Sequence, residues 1–206
     1  MVSALLQAGF RVDDVTMTDL VAGGARLEAF RGVVFPGGFS YADVLGSAVG
    51  WAAAIRGGEG LRAALEAWRN RATSFSLGVC NGCQLMALLG WLDPSEAKDE
   101  VTAAEVPAAP SVRLARNTSG RFESRWSRVL VEESKSVLLK GMGGAKMGVW
   151  VAHGEGQFTY RSKGVLPQLE KSGCVALRYL DDRDSVTEEY PMNPNGSQGC
   201  YCSCIM

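Results

Sequence analysis

Short apolar runs alternate with stretches of helical apolar spacing along this chain. Residues 1–7 carry the last turns of a helix that Gly9 can cap, and residues 11–17 interleave Val12, Val15 and Met17 with polar neighbours, as an extended segment does. Gly32, Val33, Val34 and Phe35, closed by Pro36, Gly37 and Gly38, form a wholly apolar run, the pattern of a strand buried on both faces. Residues 44–55 and 61–71 have helical spacing with a Gly-rich break between them, and 74–79 is a second buried-strand run leading into a helix over 81–92. Further strands are predicted at 128–132, 148–152 and 174–179, with a short helix over 166–171. Helices alternating with buried strands predict an α/β fold, doubly wound, with a mostly parallel sheet and helices on both faces. Residues 93–110, rich in Ala, Pro and acids without periodicity, read as a surface excursion or insertion in what is otherwise a single domain over 1–206.

Composition narrows the classes of function. The 206 residues are 47% hydrophobic and 21% charged, enough apolar material for one sizeable core. Twenty-one Lys and Arg against 22 Asp and Glu give a net charge of −1 without a basic block, so nothing favours nucleic acid or an anionic membrane, and small molecules or proteins are the expected partners. No apolar run reaches the roughly 18 residues of a membrane span, and the start lacks the features of a signal peptide, so the expected location is cytoplasmic. Six cysteines in a chain of this type predict reduced thiols rather than a disulfide framework. The ending Ser203-Cys204-Ile205-Met206 is one position off a prenylation box, so a lipid anchor is not expected.

Candidate chemistry gathers at one turn. Cys80 lies between Gly78 and Gly82 where an apolar strand meets a helix, the layout of a nucleophile elbow with sulfur in place of oxygen. A thiol at a helix N-terminus sits in a positive field that favours the thiolate. A buried inert Cys stands against this reading, as does a redox or zinc role for the Cys80–Cys83 pair; no metal site is expected, because the chain has a single His and no second CxxC. Gly37 and Gly38 follow a buried strand of their own and would emerge at the same sheet edge, so the N–H groups of Gly38 and Asn81 could form an oxyanion hole. An ordinary glycine turn is the alternative there.

Five segments together resemble one family: PGGFSYADVLGSA at 36–48, SLGVCNGCQLMALLGWL at 76–92, NTSGRFESRW at 117–126, AHGEG at 152–156 and YPMNPNGS at 190–197. They are similar to the class I, triad-type glutamine amidotransferase domain of large-form phosphoribosylformylglycinamidine synthase. The resemblance implies that Cys80 attacks the side-chain amide of L-glutamine and releases ammonia through a glutamyl thioester, for an ATP-dependent synthetase part that makes formylglycinamidine ribonucleotide in purine biosynthesis. It implies oxyanion roles for Gly38 and Asn81 and a substrate-seating role for Gln84. Ser40, Tyr41, Arg125, His153, Glu155 and Asn195 fall in segments that line the glutamine site or the synthetase interface. The expected partners are L-glutamine and the synthetase part. No cofactor is expected in this unit, with ATP and Mg belonging to the synthetase part.

The chain also departs from that pattern. The family's proton-accepting His and its orienting Glu lie in a Pro-His-Pro-Glu-Arg motif that is absent here, and its central first strand would precede Met1. The expectation is therefore a fragment without glutaminase activity of its own or, alternatively, a short non-catalytic relative that binds a synthetase. His153 with Glu155 copies the His-x-Glu spacing, but the family keeps this segment besides its catalytic His, so a binding or interface role is the expectation for His153.

Overall fold

A computed structural model describes residues 1–23, 26–38, 48–58, 60–94 and 109–200. The chain opens with helices α1 (Val2–Gln7) and α2 (Met17–Val21), followed by strand β1 (Gly32–Phe35) and helices α3 (Val49–Gly57) and α4 (Leu61–Arg69). Strand β2 (Phe75–Gly78) leads into α5 (Asn81–Leu88). Strands β3 (Val112–Ala115), β4 (Glu123–Val131), β5 (Lys146–His153) and β6 (Gln157–Tyr160), helix α6 (Val165–Lys171) and strand β7 (Leu177–Tyr179) complete the order. The α/β class is as predicted. Among the described residues parallel pairing is confined to β1 with β2; β3 pairs with β6, and β4 with β5 and β7, all antiparallel.

Residues 11–16 belong to no helix or strand, with Thr16 extended, and Met17, the last residue of the expected extended segment, instead opens α2. The reason is local: Thr16 and Asp19 form a reciprocal capping box, Asp19 N–H donating to Thr16 Oγ1 at 3.1 Å, which satisfies helix donors at the point where a strand would have continued. Helix α5 ends at Leu88, short of the expected 92, with Gly90 in the left-handed region (φ +72°) just beyond. Residues 44–47 of the first predicted helix and 95–108 of the excursion lie outside the described residues.

Two clusters make the core. The larger surrounds α5, whose residues Asn81 through Ala87 are all buried, between the β1–β2 pair on one side and β3–β6 on the other. A helix buried all round cannot show a one-sided apolar stripe, which explains the mixed composition of α5. Phe35 anchors this cluster, packing edge-on against Trp51 at 5.7 Å and Trp91 at 5.5 Å. The α4 face of Leu61, Leu65 and Trp68 closes it at helical spacing. The smaller cluster lies on one face of β4, β5 and β7 around Val129, Val151 and Tyr179. Val33, Val34 and Leu77 are only half-buried, contrary to the expectation of strands covered on both faces, since β1 and β2 pair only with each other among the described residues.

Candidate active site

Cys80 links β2 to α5 in a backbone conformation that an L-residue rarely adopts, φ +52° and ψ −112°. Of order 1–3 kcal/mol of strain is stored in such a residue and persists only where the surroundings enforce it. Three glycines supply the enforcement. A Cβ on Gly82 would run into the carbonyl oxygen of Phe35, so only glycine lets α5 approach β1 this closely. A Cβ on Gly78 would meet Met86 Sδ at 2.7 Å and the backbone of Cys83 at 2.8 Å. A Cβ on Gly37 would sit 2.9 Å from Cys80 Cβ, which places the turn after β1 directly against the thiol-bearing residue. The turn is closed by backbone bonds from Val79 N–H to Phe35 O (3.0 Å) and from Gly82 N–H to Val79 O (2.9 Å).

The thiol is half-buried, whereas Cys83 is buried in the larger core cluster, so the pair is not a surface redox motif. Among the described residues no group of three or more His, Cys, Asp or Glu is placed to hold a metal ion. Gly38 takes a left-handed φ of +112°, with open space where a Cβ would lie. Among the described residues neither its N–H nor that of Asn81 has a backbone acceptor. The Asn81 carboxamide is 1% exposed and neither of its polar atoms has a hydrogen-bond partner, a desolvation cost of about 1–3 kcal/mol for each group.

Gln84 projects from the first turn of α5 and donates Nε2–H to the carbonyl of Glu155 at 2.8 Å, bringing the 153–156 segment to the nucleophile helix. Glu155 itself meets Arg116 at 4.0 Å. His153 is 6% exposed, its Nδ1 lies 3.0 Å from Asn117 Oδ1, and its ring covers Gly156, where a Cβ would come within 2.5 Å of the imidazole. Burial lowers the His153 pKa from its ordinary 6.5, against a backbone hydrogen bond and the charge of Glu123, which raise it. Asn117 also donates to the carbonyls of Arg121 (2.9 Å) and His153 (2.8 Å) and accepts from Gly156 N–H (3.0 Å). Sequence reasoning placed Asn117 in a motif but missed that it organises the loop, because the spacing of 36 residues to His153 carries no local signal.

Arg125 reaches the buried Glu123 at 2.5 Å, donates to Tyr190 Oη at 2.9 Å and stacks on the Tyr190 ring at 5.0 Å. Asn195 is wholly buried; its Oδ1 accepts from Ser197 N–H at 2.9 Å and its carbonyl from Thr118 N–H at 3.2 Å, so the 193–197 segment is bonded to the turn after Asn117. Ser40 and Tyr41 lie outside the described residues.

Comparison with known proteins identifies the family. The chain is 51% identical to human phosphoribosylformylglycinamidine synthase over 99% of its length and 16% of that protein, and 47% identical to the Drosophila melanogaster synthase over 96% of its length and 14% of that one. It thus spans about a sixth of the length of these curated relatives. The structure of PurLQS from Thermotoga maritima superposes with a TM-score of 0.56 at 23% identity, covering 86% of this chain and 64% of that one, a likeness of fold. A sequence model described as the CobB/CobQ-like glutamine amidotransferase domain matches residues 1–204, and this chain belongs to that family.

Proposed function

We propose that the chain is the glutaminase unit of a phosphoribosylformylglycinamidine synthase. Cys80 Sγ attacks the carboxamide carbon of L-glutamine; the C–N bond breaks, the nitrogen leaves as ammonia after taking a proton, and water hydrolyses the glutamyl thioester to glutamate and the free thiol. Ammonia serves the ATP-dependent synthetase part, which converts formylglycinamide ribonucleotide to the amidine. The observation that carries this reading is the left-handed backbone of Cys80 at a strand-to-helix turn that glycines at 37, 78 and 82 hold tight. The N–H groups of Gly38 and Asn81 are the oxyanion donors, and Ser40 and Tyr41 belong to the glutamine pocket in this reading. Gln84 acts on the substrate through the 153–156 loop it holds.

The chain's single His supplies no base in this arrangement: His153 is buried and committed to Asn117, so the 206 residues alone are a slow hydrolase or a unit that binds a synthetase without hydrolysis. Ammonia release from L-glutamine by the native polypeptide, with and without Cys80→Ala, tests the assignment. Loss of glutamine-dependent turnover with retained ammonia-dependent turnover is expected. Glutamine hydrolysis that survives Cys80→Ala would sink it.

A further inference from the structure

The outer face of β4 and β5 carries aromatic side chains open to solvent. Trp126 and Trp150 occupy paired positions across the two strands, with ring centroids 6.5 Å apart and each residue 63% exposed. Gly148 is what allows this, because a Cβ there would collide with the Trp126 indole, which lies over the glycine. Phe122, 57% exposed, stands before the first residue of β4, its ring 3.7 Å from where a Cβ on Gly154 would lie. Toward the other end of β4, Arg128 and Lys146 both pair with Asp184, and the three side chains are between 38% and 46% exposed. With Asp181, Asp182 and Arg183 of the turn that Asp184 closes, that rim carries three cations and three carboxylates. Paired exposed tryptophans on a pleated face, bordered by charge, are what a protein interface presents before its partner arrives, and Trp and Arg are the side chains that most often dominate such contacts.

We propose that this β4–β5 face is the docking surface for the larger, remaining part of a synthase polypeptide, a partner offering an apolar pocket to the paired tryptophans. The inference rests on the synthase reading above. The human and fly relatives carry the matched segment as 16% and 14% of one polypeptide, so there a unit of this kind is tethered to a far larger body. Tethering raises the local concentration to roughly millimolar, at which a patch of a few aromatic anchors suffices. Location adds a reason: through Phe122 beside Gly154 the face runs into the loop that Gln84 bonds to the nucleophile helix.

Hydroxyl-radical footprinting of the native polypeptide carrying these tryptophans, purified from its own cells and compared with the same polypeptide in urea, tests the proposal. A covered interface core predicts at least about fivefold slower oxidation of Trp126 and Trp150 in the native state. A lysine-reactive diazirine crosslinker anchored at Lys146 is expected to join it to peptides outside residues 1–206. Native oxidation within about twofold of the urea rate, as 63% exposure implies, would overturn the proposal, and so would crosslinks from Lys146 to a second copy of residues 1–206. Glutamine hydrolysis measured on the same preparation separates the two readings: an open face with hydrolysis removes the docking surface alone, whereas a covered face without hydrolysis removes the glutaminase assignment.

Discussion

Gln84 Nε2 donates to the carbonyl oxygen of Glu155 at 2.8 Å, and this single side chain fastens the helix behind Cys80 to the loop between β5 and β6. Both partners come from elements packed around the larger core cluster, and Gln84 is 6% exposed, so the bond is shielded from water. Gln84→Leu removes the donor and leaves the carbonyl without its partner. A loss of about 1–3 kcal/mol in unfolding free energy is expected, read by urea denaturation. An unchanged midpoint would show that water replaces the bond and that the loop is not held from α5.

Gly82 supports the elbow from beneath. Gly82→Ala forces a methyl group into the Phe35 carbonyl, which neither β1 nor α5 can yield without opening the β1–α5 contact. Overpacking of this kind costs about 3 kcal/mol, well above the gain of about 1 kcal/mol that alanine brings to a helix. Equilibrium denaturation showing Gly82→Ala at or above parental stability would refute the close approach of helix to strand.

Cys80→Gly has the opposite sign. The substitution relieves a φ of +52° in the folded state, so the variant should be more stable by about 1 kcal/mol after the added freedom of glycine in the unfolded chain is set against the relief. Glutamine-dependent ammonia release should vanish in the same protein. Stability and activity moving together, both down, would mean that the thiol contributes packing rather than chemistry.

Stability should fall with acid through His153. Its pKa in the fold is held below 6.5, chiefly by burial, so below pH 6.5 the unfolded chain binds a proton that the folded chain refuses. The loss sets in as pH drops through 6.5, continues toward the lower folded value and has a slope of at most about 1.4 kcal/mol per pH unit; above 6.5 this group contributes no pH dependence. His153→Gln should flatten that part of a melting-temperature profile. A profile of equal slope in the variant would place the acid sensitivity elsewhere.

The local features of the elbow were legible in the chain itself. A glycine two residues before and two after a cysteine, between an apolar run and a helical pattern, permits a sharp turn and close packing there, and β2, Cys80 and α5 lie where that pattern places them. The apolar run of β1 was equally plain. The strands β3 and β6 were not, because Val112–Ala115 interleaves an arginine and Gln157–Tyr160 is too short to show a period. Met17 was misplaced for a related reason: the capping box of Thr16 and Asp19 starts a helix there, and a pattern of apolar residues does not weigh that bond.

What the sequence determined by itself was therefore short-range: helix and strand types over strongly patterned segments, the strained turn at Cys80, and membership in a family whose motifs are contiguous strings. The tertiary structure decided which polar side chains answer one another. Asn117 with His153 and Gly156, Gln84 with Glu155, Arg125 with Tyr190 and Trp126 with Trp150 are separated by between 24 and 71 residues, and each pair forms only because sheet register or helix packing brings the two together. Spacing along a chain carries the preferences of the local backbone, but it holds no information on register between distant strands. Whether His153 is a free base or a buried, bonded ring is a question of that register, and the answer is the bonded ring.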